Sequence, residues 1–225
     1  MKMIEGNVNH ILNHIASYLI LNASYMPELG LYHGKMGVCL FFVHYSRYIG
    51  NKEYDDFAGH LLDEVFEDFT REISIDFENG LAGIGWGIDY LVQQDFMQGD
   101  TNLVLEDLNQ CILEREPLRM KDHSFRNGLS GIAYYVDYHT KYTPYSCFVK
   151  DETYMPNLEV ALKRARLLGD TEYEKINSFS YLTSFPFLYP LIENIPAITL
   201  DTDLSSLPLG IEEGIAGYGL KLLKI

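Results

Sequence analysis

The sequence predicts an all-α protein built from repeated helical hairpins, and three observations lead there. A polar residue followed by Gly-x-x-Gly recurs in near-regular register, apolar and amphipathic helical patterns alternate between the recurrences, and no turn-linked alternating strand pairs accompany them. The four copies are His33-Gly34-Lys35-Met36-Gly37, Asn79-Gly80-Leu81-Ala82-Gly83, Asn127-Gly128-Leu129-Ser130-Gly131 and Glu213-Gly214-Ile215-Ala216-Gly217. Their first glycines stand 46, 48 and 86 residues apart. The last gap is nearly two periods, so a degenerate fifth copy is expected at Asn177-Ser178-Phe179-Ser180-Tyr181.

Each copy opens a dry helix. Val38-Cys39-Leu40-Phe41-Phe42-Val43 and Ile132-Ala133-Tyr134-Tyr135-Val136 are apolar nearly all round, as expected of helices buried on most sides. Between them lie helices with one wet face. Tyr54, Phe57, Leu61, Val65, Phe66 and Phe69 form one apolar stripe, with Asn51 placed to cap its helix. Leu105, Leu108 and Ile112 follow Thr101, a second capping type. Leu158, Ala161, Leu162, Ala165 and Leu168 precede a stop at Gly169. Pro186, Pro190, Pro196 and Pro208 forbid one uninterrupted helix between Phe185 and Pro208. The glycines are expected to supply positive φ at a tight opening turn and to let neighbouring helices approach closely.

The bulk properties narrow the partners. The 225 residues suffice for one substantial core, and a 47% hydrophobic content excludes disorder. A net charge of −15, from 32 acidic and 17 basic residues, disfavours nucleic acid and anionic membrane, with only Lys163, Arg164 and Arg166 clustered against it. A basic peptide or a neutral ligand fits better. The first residues turn polar before any apolar run forms, so neither a signal peptide nor a membrane span is expected. Three scattered cysteines, Cys39, Cys111 and Cys147, then point to reduced thiols in a cytoplasm.

Gly30-Leu31-Tyr32-His33-Gly34-Lys35-Met36-Gly37, Glu78-Asn79-Gly80-Leu81-Ala82-Gly83-Ile84-Gly85 and Gly214-Ile215-Ala216-Gly217 resemble the turns of lanthionine synthetase C-like (LanC-like) proteins. The resemblance runs from about Gly30 to the C-terminus. It implies one α/α-toroid domain over residues 1–225, inner helices entered by Gly-rich turns at one rim. Cyclases of that family bind zinc through two cysteines and a histidine, one pair in a Cys-His-Gly turn, and the metal activates a substrate thiolate. This sequence has no Cys-His-Gly, and Trp86 is followed by Gly87 where the family has Trp-Cys. No metal and no cofactor are therefore expected. Family rings are near twice as long, with about seven hairpins against five here, so the ring would be open, narrower, or completed in a homodimer.

On a shared rim, the residues before the first glycines would converge on a central funnel. Tyr32, Asn79, Trp86, Arg126, Asn127, Glu212 and Glu213 are the candidate substrate-binding residues, and His33 and Glu78 candidate acid–base groups. Against this, Asn79 and Asn127 are suited to cap the inner helices. Asp89 and Asp137 each stand six residues after a second Gly, deep in an apolar helix. They would either bond neighbouring helices or face a cavity with a raised pKa. Three functions follow: a zinc-free accessory or peptide-binding component of peptide modification, a carboxylate-dependent toroid enzyme acting on saccharides, or a structural interaction scaffold.

Overall fold

The apolar runs after each glycine pair do form helices, and among the described residues there is no strand. The computed structural model describes residues 2–168, 191, 195 and 197–224. Its helices are α1 (Lys2–Asn22), α2 (Lys35–Ile49), α3 (Glu53–Glu67), α4 (Leu81–Gln93), α5 (Thr101–Val104), α6 (Glu106–Leu113), α7 (Leu129–Tyr142), α8 (Cys147–Lys150), α9 (Tyr154–Leu167) and α10 (Ile215–Leu223). The expected fifth copy at Asn177–Tyr181, the stop at Gly169 and three of the four prolines lie outside the described residues.

The chain divides into two compact units. One comprises Met1–Phe69 with Leu182–Ile225, the other Thr70–Tyr181. In the first unit α2 packs on α3, while α10 lies against both α2 and α1. Phe42 stacks on Tyr54 and meets Phe57 edge-on, so the dry helix α2 is sealed by aromatic rings of the wet helix α3. Lys35 is 4% exposed in the first turn of α2 and reaches Glu64 on α3 at 2.7 Å and Asp68, just after α3, at 3.4 Å. The stripe on α3 is shifted from the expected one: Ala58, Leu61, Leu62 and Val65 are buried, whereas Phe66 is 40% exposed. Asn51 Oδ1 accepts the Glu53 N–H at 3.1 Å.

In the second unit α4 packs against α7, α6 against α4 and α8, and α9 against α7. Phe77, Trp86, Phe125 and Tyr134 form a continuous aromatic core. On α9 Leu158, Ala161 and Ala165 are buried, but Leu168 is 77% exposed. Asp100, not Thr101, caps α5 by accepting the Asn102 N–H.

Candidate functional site: paired loops before the inner helices

Among the described residues, all four inner helices are opened by one seven-residue loop ending in the first glycine. The N–H that follows this glycine bonds the carbonyl seven residues earlier: Lys35 to Glu28, Leu81 to Ser74, Leu129 to Asp122 and Ile215 to Pro208, at 2.8–3.0 Å. The residue three before the glycine is apolar and buried each time, as Leu31, Phe77, Phe125 and Ile211. Wrapping a loop this tightly brings its backbone onto the glycine. A Cβ on Gly80 would stand 2.6 Å from the Asp76 nitrogen, and one on Gly34 2.6 Å from the Glu28 oxygen.

Two expectations are corrected here. The first glycines are not in the left-handed region: Gly34, Gly80, Gly128 and Gly214 have φ between −129° and −102°, so close approach alone requires glycine. Nor do Asn79 and Asn127 cap the inner helices, because the N-cap residues are the glycines themselves and carry no side-chain cap. The loops are instead tied from within. Asp76 Oδ1 accepts from the N–H groups of Asn79 and Gly80, and Ser124 Oγ from that of Asn127.

Within each unit two loops are joined in the same way. In the first, the Tyr32 carbonyl accepts the N–H groups of Ile211 and Glu212 at 2.7 and 3.1 Å. In the second, the Arg126 carbonyl accepts those of Phe77 and Glu78, both at 3.0 Å. The helices below repeat the correspondence. A Cβ on Gly85 of α4 would lie 2.6 Å from the Tyr135 ring of α7, and one on Gly219 of α10 would strike the Phe41 ring of α2. The last inner helix thus sits on the first as the second sits on the third.

Each joint carries a carboxylate beside a basic side chain. His33 Nε2 stands 3.2 Å from Glu212 Oε2 in the first unit, and Arg126 Nη1 stands 3.4 Å from Glu78 Oε1 in the second. His33 and Arg126 are 37% and 41% exposed, so both pairs are screened by solvent. Glu213 is exposed and holds the left-handed conformation, φ 51°. Asn127 is exposed and Asn79 half-buried.

The remaining candidates fall elsewhere. Tyr32 is 2% exposed and joins through its carbonyl. Trp86 is wholly buried, stacked on Tyr90 with ring centres 5.2 Å apart, and presents no surface to a substrate. Asp137 is exposed on α7, not buried as its apolar surroundings in the sequence suggested. Asp89 is wholly buried, but it faces His139 and not a cavity: its Oδ2 lies 2.8 Å from His139 Nδ1. His139 and its other partner Asn109 were missed. The signal was present, since His139 lies two residues after Asp137 on the same apolar helix, but its partners are 30 and 50 residues away.

The three cysteines do not assemble the family's zinc donors. Cys39 points from α2 to the Ala58 carbonyl at 3.5 Å, and burial pushes its thiol up to about 12. Cys111 is buried on α6, and burial also raises the Cys147 thiol on α8. Among the described residues no cysteine belongs to a cluster of three possible metal ligands.

Hairpins whose inner helices open at seven-residue glycine-ended loops, joined pairwise by a shared carbonyl, define an all-α hairpin-repeat protein. The family model described as lanthionine synthetase C-like protein matches residues 25–151, more than half of the chain. The chain belongs to that family, an all-α toroid family connected with peptide modification. No curated protein matches it.

Proposed function

We propose that the protein is a zinc-free, peptide-binding component of peptide modification, holding its peptide on the paired loops. The observation that carries this reading is the contrast between those loops and the cysteines. All four glycine-ended loops are built in the same register, while among the described residues no cysteine belongs to a group of three possible metal ligands. The partly exposed His33–Glu212 and Glu78–Arg126 pairs provide both charges, and the loops offer polar groups to a peptide backbone. An acidic chain favours a basic peptide.

Pull-down of a precursor peptide by the purified protein tests this. Changing His33, Glu78 and Arg126 to alanine together should weaken capture at least tenfold, and unchanged capture would refute the loop site. Stoichiometric zinc in purified protein would refute the metal-free reading. Cytoplasmic residence, where the three free thiols stay reduced, belongs to the same proposal, as does a homodimer, which a clean monomer in light scattering would eliminate. The saccharide-enzyme reading loses its support, because Asp89 is bonded in the core and Asp137 is at the surface. No helix among the described residues is long and apolar enough to cross a membrane.

A further inference from the structure

At the opposite end of α4 and α7 from the Glu78–Arg126 joint, a cleft of about 500 Å³ opens between the last turns of those helices and the start of α5. It lies within the second unit. The Thr101 and Thr143 hydroxyls, both buried and 3.3 Å apart, tie α5 to the end of α7 along its wall. Tyr142 and Tyr145 also line it and are 42% and 77% exposed, so two large amphipathic rings meet water there.

The electrostatics of this cleft select one kind of ligand. Among the described residues, Asp100 is the only charged side chain on its walls. Asp100 Oδ1 accepts the Asn102 N–H at 3.0 Å, while Oδ2 accepts from none of the described residues, so one carboxylate oxygen is left to a ligand. Gln93 ends α4 and Tyr142 ends α7, so two helix C-termini, whose last carbonyls lack intrahelical donors, add partial negative charge. The faces of tyrosine rings attract cations, and Tyr142 already does so: Lys141 Nζ stands 5.1 Å from its ring centre. Lys141 is exposed and forms no ion pair among the described residues, so an incoming cation displaces it at little cost. An anion would meet Asp100 and both helix ends, and the net charge of −15 adds to its repulsion.

We propose that this cleft binds the charged end of a lysine or arginine side chain, the cation seated against Asp100 and the Tyr142 and Tyr145 rings. The side chain belongs to a basic peptide, the one point at which this site rests on the function proposed above. It engages the second unit at the end remote from the paired loops.

Titration of the nitrogen-15-labelled whole chain with N-acetyl-arginine amide and N-acetyl-lysine amide, followed by proton–nitrogen NMR, tests the site. Shifts should centre on residues 92–102 and 142–145 and saturate in the millimolar range suited to a single side chain. In Asp100→Asn, which keeps a capping oxygen for α5, affinity should fall about fivefold or more, and in Tyr145→Ala about threefold. Added salt should weaken the complex. Shifts scattered over the acidic surface, or undiminished in Asp100→Asn, would overturn the proposal. So would equal shifts with N-acetyl-glutamine amide or with maltose, because the cleft would then read hydrogen bonds and not charge. Changing His33, Glu78 and Arg126 to alanine together should leave this titration as it is, so failure of the loop site and failure of the cleft are told apart.

Discussion

The ring of Tyr135 rests on Gly85: a methyl group at that position would stand 2.6 Å from the ring carbon Cζ. Gly219 and Phe41 repeat the contact in the first unit. Gly85→Ala and Gly219→Ala should therefore each destabilise their unit by about 1–3 kcal/mol, overpacking outweighing the roughly 1 kcal/mol by which alanine is the better helix former. Gly59 on α3 has open space around it, so Gly59→Ala should stabilise by roughly 0.5–1 kcal/mol. Urea unfolding of the three variants gives the comparison.

The Asp89–His139 pair is wholly enclosed, so removing one partner strands the other. Asp89→Ala or His139→Ala should each cost about 1–3 kcal/mol or more, the penalty of a buried hydrogen-bonding group left without its partner, whereas Asp137→Asn at the surface should stay within about 0.5 kcal/mol. Thermal melts monitored by near-ultraviolet circular dichroism separate the two cases.

His44 on α2 titrates in the first unit. Burial, helped by Arg47, lowers its pKa from 6.5 to about 4. The unfolded chain takes up this proton first, so the stability that His44 contributes is complete above pH 6.5 and is lost as the pH falls towards 4, at up to about 1.4 kcal/mol per pH unit. In His44→Gln that part of the acid dependence should vanish. Urea midpoints at pH 7, 5.5 and 4 measure it.

Glu213 holds φ 51° directly before Gly214, a conformation that costs a side-chain-bearing residue about 1 kcal/mol. Glu213→Gly should raise stability by a few tenths to about 1 kcal/mol, and Glu213→Val should lower it. Denaturation midpoints for both variants check the sign.

Alkylation should pass over Cys39 in the folded protein, since its thiol is buried and pushed up to about 12. Mass spectrometry after iodoacetamide treatment at pH 8 should find Cys39 unmodified until urea is added.

Much of the fold was legible along the chain. The spacing of the Gly-x-x-Gly turns located α2, α4, α7 and α10, and the alternation of dry and wet helices identified which of them would be enclosed. The loops leave a second trace in the chain: the buried Leu31, Phe77, Phe125 and Ile211 each stand three residues before the first glycine. His33, Glu78, Arg126 and Glu212 were placed on the loops by their position before the glycines, but their pairing was not legible.

Local spacing was enough for the helices and their opening loops because both are made by bonds spanning a few residues, and a glycine forced by its own loop leaves a periodic trace. The pairings were decided elsewhere. Whether His33 meets Glu212, whether Asp89 faces a cavity or His139, and whether Trp86 is surface or core depend on which helices pack together across tens or hundreds of residues. Burial and hydrogen-bond partnership are properties of that packing, so identical Asp-Tyr pairs at the same register became a buried hydrogen-bonded carboxylate at Asp89 and a solvent-facing one at Asp137.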